Sequence, residues 1–325
     1  MRTAVLDLGT NVFNLLLADF SEAGCKYIKE VKSPARLGAG GLASGIISPG
    51  AFQTARTAME NLLGALREAG GADRVLALAT SAVREAKNGP EFVRFLNSEF
   101  GIDVQVIPGE REAELIFKGI AESLAEEGIT GKKDSSPAEN ILMMDIGGGS
   151  DEFIISDGES VLWKKSFPIG MARMREKFDY QEPVPQSVLQ EFGEFCTREL
   201  EELWEQTARY APSLFVGSSG SFDTFRDLLY GGRYKDRVAV KLPEERLSAL
   251  NDLLVASTSQ QRLEMPGMSP IRVDYIVLAS VFTQLVLRRV APRAVYQSAY
   301  SLKEGAMAEE YGKYRRDNGN MTECN

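Results

Sequence analysis

The residue types best able to do chemistry meet in one stretch, Met143-Met144-Asp145-Ile146-Gly147-Gly148-Gly149-Ser150, followed by Asp151 and Glu152. An apolar run over residues 141–144 ends at an aspartate. Three glycines and a serine come next, then two acids open a second apolar run at 153–155. This order predicts strand, tight turn, strand. Consecutive glycines let backbone N–H groups converge where a Cβ would collide with a ligand. Such a turn can cradle phosphate oxygens, and a flanking carboxylate can hold a divalent cation against them. An ordinary glycine-rich hairpin turn has the same composition, so the stretch alone does not decide.

The N-terminal region repeats the pattern. Ala4-Val5-Leu6-Asp7-Leu8-Gly9-Thr10-Asn11 is again an apolar strand that ends in aspartate, an aliphatic residue and glycine, and a second apolar run follows at 12–17. Asp7 and Asp145 lie 138 residues apart. That period is too long for a solenoid and suits a duplicated domain, each copy opening with the same phosphate hairpin. A dinucleotide-binding fold would put a helix after the glycines; here a strand follows in both copies, which argues against it.

Other groups have narrower roles. The chain has no histidine, so acid–base work falls to carboxylates, Lys, Tyr or Cys, and a Ser-His-Asp triad and histidine metal sites are excluded. Thr80-Ser81-Ala82-Val83-Arg84 follows a predicted strand at 75–80, at the end where α/β proteins keep their sites. Arg84 there suits a substrate phosphate or a surface salt bridge. Glu112, in Glu110-Arg111-Glu112-Ala113, opens a predicted helix just after a strand at 104–107. Acids favour first helical turns in general, and the same dipole keeps a carboxylate ionised, as a base must be. Gly217-Ser218-Ser219-Gly220 lies between a strand and a helix, where N–H groups can bind an anion or simply make a packing turn. Arg36 and the glycines up to Leu42 form a loop that suits an anion or a flexible turn equally.

The elements that must position these groups are legible too. A third strand is expected at 26–31. Ser48-Pro49 reads as a helix N-cap with an N1 proline, its helix running to about Glu68. Further helices are expected over 90–100, from Glu110 to about Glu127, 185–210, 243–257, 272–289 and 302 to about 314, with strands at 161–167 and 294–298. The polar, breaker-rich segment 128–139 marks a boundary, giving domains at 1–125 and 126–301, and the tail to Asn325 is expected to be disordered.

With 325 residues the chain can build two ordinary cores. Hydrophobic residues at 44% and charged residues at 26% fit a soluble globular protein. No apolar run reaches membrane-span length, and no signal peptide is evident. Cys25, Cys196 and Cys324 are too scattered for a disulfide framework or a zinc site, which suits a reducing cytoplasm. A net charge of −9 disfavours nucleic acid. A polyanionic ligand would then need a local basic cluster, a metal and backbone N–H groups.

Together these motifs resemble the exopolyphosphatase / guanosine pentaphosphate phosphohydrolase family, of the actin, sugar-kinase and heat-shock-ATPase superfold, over nearly the whole chain. Asp7-Leu8-Gly9-Thr10-Asn11 and Asp145-Ile146-Gly147-Gly148-Gly149-Ser150 resemble its two phosphate motifs. The Arg84 and Glu112 segments resemble those that supply its substrate arginine and catalytic glutamate, and Gly217-Ser218-Ser219-Gly220 and Ala299-Tyr300-Ser301-Leu302-Lys303-Glu304-Gly305 resemble later loops. The resemblance implies an α/β chain of two duplicated ribonuclease-H-like, actin-like ATPase domains with an interlobe cleft, the C-terminal helix at about 302–316 packing back onto the first domain. It implies Glu112 as the base that orients water, and Mg²⁺ held by Asp145 and Glu152. The family usually has Ser at Val12, Thr at Asp151, and Gly and Arg at Ser301 and Lys303. Asp151 is expected to put a negative charge beside the phosphate turn.

The expected activity is Mg²⁺-dependent removal of terminal phosphate from inorganic polyphosphate. Arg84 and the turn N–H groups would balance charge on the transferring phosphoryl. A guanosine pentaphosphate 5′-phosphohydrolase, a nucleotide-dependent kinase and a non-catalytic phosphate sensor are the alternatives. The resemblance leaves room for a homodimer.

Overall fold

A computed structural model describes residues 1–41, 44–129 and 139–319. Leu42 of the glycine loop, most of the expected boundary segment, Cys324 and the tail from 320 lie outside the described residues. The chain forms two compact units, one of Met1–Gly119 with the chain from Leu302 on, the other of Ile120–Ser301.

The first unit opens with β1 (Arg2–Leu8), β2 (Val12–Ser21) and β3 (Gly24–Pro34), paired antiparallel in that order. The sheet then receives α1 (Pro49–Glu68), β4 (Arg74–Ala79), α2 (Ser81–Glu85), α3 (Gly89–Phe100), β5 (Val104–Val106) and α4 (Gly109–Glu126). β4 pairs parallel with β1 and β5 parallel with β4, giving the order β3-β2-β1-β4-β5. α1 starts as the sequence predicts: Ser48 Oγ accepts from the Ala51 N–H at 3.2 Å, and Pro49 needs no partner for a missing donor. Its buried stripe of Ala55, Met59, Leu62 and Leu66 covers the sheet beside Leu6, Leu15 and Leu17. β4 is less buried than expected at its start. β5 is short and pairs only from Ala77 on, so Val75 stays exposed.

The second unit repeats the plan with β6 (Ile141–Ile146), β7 (Asp151–Ser156), β8 (Val161–Phe167), α5 (Met171–Lys177), α6 (Gln186–Glu199), α7 (Glu201–Tyr210), β9 (Leu214–Ser218) and α8 (Ser219–Tyr230). It continues with β10 (Ala239–Lys241), α9 (Glu244–Val255), α10 (Ser259–Leu263), α11 (Ile276–Val290) and β11 (Ala294–Ser298). The sheet order is β10-β11-β9-β6-β7-β8. Read from β8 to β11 it matches the first unit strand for strand, including the antiparallel and parallel steps. Each unit is thus a ribonuclease-H-like sheet with helical cover, and each has its own core. α12 (Leu302–Gly319) then packs on β1 and β2 of the first unit.

Two expected helices change form. The helix expected over 185–210 is broken at Leu200, with φ −95° and ψ 18°. Trp204 Nε1 donates to the Thr197 carbonyl at 2.8 Å, a group a continuous helix would have used itself. The helix expected from Arg272 begins at Ile276, and residues 270–275 form turns instead.

Candidate active site

In the second unit, β6 and β7 leave Gly147, Gly148, Gly149 and Ser150 to turn the chain. The three glycine carbonyls are taken by the segment after β8. Gly147 O accepts from Met171 N at 2.9 Å, and Gly148 O from Ala172 N at 2.9 Å and Arg173 N at 3.2 Å. Gly149 O accepts from Gly170 N at 3.2 Å and from Arg173 Nε at 3.1 Å. The Gly147 N–H is fixed on Asp151 Oδ1 at 3.0 Å. Among the described residues no acceptor takes the N–H of Gly148 or Gly149. With its carbonyls committed to α5, the turn presents donors that suit an anion. The approach of α5 requires glycine at 170, where a Cβ would stand 2.5 Å from the Gly148 and Gly149 backbone.

Asp145 and Glu152 pair directly across β6 and β7, so both carboxylates stand on one face of the sheet. They are 5% and 1% exposed. Asp145 accepts from Ser218 Oγ at 2.7 Å, from Ser219 Oγ at 2.6 and 2.7 Å, and from Ser301 Oγ. Glu152 Oε1 accepts from Ser150 Oγ at 2.7 Å and Ser166 Oγ at 2.6 Å. Like charges directly opposed across a ladder destabilise it, and a cation between them would remove that cost. The donors are all oxygen, which suits Mg²⁺ or Mn²⁺. Among the described residues no three or more Asp, Glu, Cys or His groups gather into a metal cage. The fit is therefore to an ion that takes one or two carboxylates and completes its shell with water and phosphate, as Mg²⁺ does.

Asp151 is placed differently from Asp145 and Glu152. It points to the opposite face, is fully buried, and its Oδ2 has no partner among the described residues. Burial first, then the nearby Glu152 charge, pushes its carboxyl well above the usual range. Its Oδ1 accepts from the Gly147 N–H, so Asp151 braces the turn from that side.

The Gly217-Ser218-Ser219-Gly220 junction serves Asp145 through its two serine hydroxyls. Its glycines admit neighbours: a Cβ at Gly217 would stand 2.1 Å from the Phe222 ring, and one at Gly220 2.3 Å from the Arg272 guanidinium. Burial pushes the Arg272 guanidinium down from its ordinary value, against the opposing pull of the Asp223 and Asp145 charges. Neither Arg272 nor Arg173 carried a signal in the sequence. Each is a lone arginine in a turn or short helix, brought to the site by tertiary packing alone.

The first unit builds its turn the same way. Asn11 O accepts from Ala35 N at 2.9 Å and Arg36 N at 3.0 Å, and Thr10 O from Gly38 N at 3.3 Å. Gly9 is close-set, a Cβ there meeting Val12 O at 2.9 Å. Asp7 faces Asn14, whose Nδ2 donates to it at 2.9 Å. Asn11 is 6% exposed, and its Nδ2 has no acceptor among the described residues. A buried, unsatisfied donor is costly, and a phosphate oxygen would satisfy it.

In the same unit Arg84 and Glu112 come together. Arg84 Nη1 donates to Glu112 Oε2 at 2.8 Å and to Ile107 O at 3.0 Å. Their side chains are 20% and 9% exposed, so this is a half-buried pair, not a surface salt bridge. Glu112 sits in the first turn of α4, its N–H on Pro108 O at 3.0 Å. Arg111, its neighbour, turns instead to Glu114 and Glu309.

Comparison with known proteins agrees with this plan. Residues 17–314 match the model of the Ppx/GppA phosphatase family. The chain belongs to that family, a family of phosphoric anhydride hydrolases. It is 28% identical to Exopolyphosphatase 2 of Mycobacterium tuberculosis over 309 residues, covering 90% of this chain and 92% of the relative. The crystal structure of an exopolyphosphatase from Cytophaga hutchinsonii superposes with a TM-score of 0.88 at 32% identity, covering 96% of this chain and 98% of that one. A Ppx/GppA family member from Aquifex aeolicus shares the fold, with a TM-score of 0.76 at 24% identity over 97% and 98% of the two chains. Among the described residues no helix is long and apolar enough to cross a membrane.

Proposed function

We propose that this family member is an exopolyphosphatase that hydrolyses the terminal anhydride bond of inorganic polyphosphate with Mg²⁺. The observation that carries the reading is the turn after β6, with two unclaimed glycine N–H groups beside the opposed, buried carboxylates of Asp145 and Glu152. The relatives named exopolyphosphatase support polyphosphate as the substrate.

Asp145 and Glu152 would hold Mg²⁺, which when bound neutralises charge on phosphate oxygens. The Gly148 and Gly149 N–H groups bind oxygens of the terminal phosphoryl, and the Asp7 turn offers the Asn11 amide to phosphate. Glu112 orients a water and takes its proton as the water oxygen bonds to phosphorus. The bridging P–O bond breaks, and the shortened polyphosphate leaves with that electron pair. Arg84 keeps Glu112 in place through Nη1. Its Nε and Nη2, which have no acceptor among the described residues, bind the transferring phosphoryl as charge spreads over it.

The test is phosphate release by the purified chain from polyphosphate and from guanosine pentaphosphate, each with Mg²⁺ and with excess EDTA. Mg²⁺-dependent release with polyphosphate as the better substrate is expected. Preference for guanosine pentaphosphate would move the reading to that nucleotide, and release undiminished by EDTA would overturn the metal assignment.

A further inference from the structure

Asp145 is buried, and serine hydroxyls surround its carboxylate. Its Oδ2 accepts from three serines, Ser218 at 2.7 Å, Ser219 at 2.6 Å and Ser301, while Oδ1 accepts only from Ser219, at 2.7 Å. A carboxylate oxygen has two in-plane lone pairs. Hydroxyl-to-carboxylate bonds are short and strong because the acceptor is charged. Each hydroxyl has one proton, so Ser219 is shared between the two oxygens, but Ser218 and Ser301 already fill the two lone pairs of Oδ2, and a cation can reach it only if one hydroxyl turns away.

The three serines differ in how firmly they are held. Ser218 is in register with Asp145 in the sheet and fully buried. Ser219 opens α8 at φ 69°, tied to the start of that helix. Ser301 is half-buried and stands in the short link between β11 and α12, outside any regular element. It is the hydroxyl best able to yield.

We infer that Ser301 sets the divalent-cation affinity of this chain, its hydroxyl competing with the cation for Asp145 Oδ2. The inference rests on the metal reading given above and goes further, because it assigns a weakening role to a residue outside the ligand set. The competing geometry, with Ser301 Oγ itself a ligand, predicts the opposite sign.

The experiment is Mn²⁺ binding to the full chain without substrate, read from the free-ion signal in electron paramagnetic resonance. Wild type is compared with Ser301→Ala, Ser301→Thr and Asp145→Asn. Ser301→Ala should bind about tenfold more tightly, the order of one hydrogen bond to a charged group that the cation no longer has to displace. Ser301→Thr keeps the hydroxyl and should bind like wild type, while Asp145→Asn should bind at least about tenfold more weakly. Equal or weaker binding by Ser301→Ala, with Asp145→Asn still impaired, overturns the Ser301 assignment and leaves the metal reading standing. Asp145→Asn binding like wild type, or no binding by wild type and Ser301→Ala alike, overturns both.

Discussion

Across the turn after β1, Asp7 faces Asn14, whose amide donates to it at 2.9 Å. Across the turn after β6, Asp145 faces Glu152. The two turns otherwise share a plan: an aspartate near the end of the first strand, a close-set glycine, and carbonyls claimed by the segment that follows the third strand. Duplication has kept the backbone and divided the charge. One turn carries a single carboxylate met by a neutral amide, the other two buried carboxylates on one face. Only the second calls for a cation, while both leave donors for an anion.

The largest effect expected comes from the first unit, whose proposed contribution is acid–base. Glu112→Gln should lower kcat by roughly 10²–10⁴-fold, the range of a general base. Glu110→Gln, in the same helical turn, should keep normal turnover. Steady-state kinetics of the two variants check this, and wild-type turnover in Glu112→Gln would remove the base from the mechanism.

The sharpest contrast is in metal demand. Asp145→Asn should raise the Mg²⁺ concentration for half-maximal phosphate release by about 100-fold, at or beyond the upper end of outer-shell effects. Asp7→Asn should leave that concentration unchanged and act on turnover or KM only. Equal shifts in Mg²⁺ titrations of both variants would break the comparison. Next in size is Gly170→Ala, whose methyl would push α5 off the glycine turn. We expect kcat/KM to fall about 10–50-fold with a native circular dichroism spectrum; loss of the spectrum instead would make Gly170 a folding residue. A smaller effect is expected at Asn11→Ala. KM should rise about fivefold while thermal stability holds or improves, because an unsatisfied buried donor is removed. A drop in stability with unchanged KM would deny that the amide is kept for phosphate.

The smallest effect lies away from both turns. Burial raises the Glu309 carboxyl, but Lys118 and Arg111, each 2.5 Å away, outweigh it and hold the group down to about 2. Its folded value is below the ordinary 4.5, so its stabilisation is present above that value and fades as pH falls towards about 2. Glu309→Gln should cost about 1 kcal/mol at neutral pH. The melting-temperature gap from wild type should close between pH 4.5 and 2. A gap that does not depend on pH would refute the pairing.

The plan of the two sheets came through the family resemblance, while the strands and hairpins were legible because they rest on local signals, namely apolar runs, an aspartate and runs of glycine. The same holds for α1, marked by Ser48-Pro49. α10 was missed although Thr258 and Gln261 form a capping box, because the helix spans barely more than one turn. The break at Leu200 was not legible, since it depends on where the Trp204 indole reaches. Within the site, Asp145 and Glu152 were named through the family resemblance, and their sharing one face needs the strand register. The upward push on the Asp151 carboxyl needs the burial that only the folded sheet supplies. Arg84 and Glu112 stood as separate candidates, and only the chain path between β4 and α4 makes them a pair.

α12 gives the first unit a timetable. Glu309 and Arg111 are 198 residues apart in the chain yet joined by an ion pair, and Phe20 packs on Tyr311 and Tyr314. A ribosome delivers the β1–β2 hairpin early and its helical cover last. The second unit, uninterrupted from Ile120 to Ser301, has every strand of its sheet available before α12 emerges. Domains fold as units during synthesis, so the half that is begun first is the half completed last. Until α12 arrives, Phe20 and the face of β1 and β2 beneath it wait uncovered, and a released chain cut before Leu302 would carry every strand of the second unit and an uncovered first.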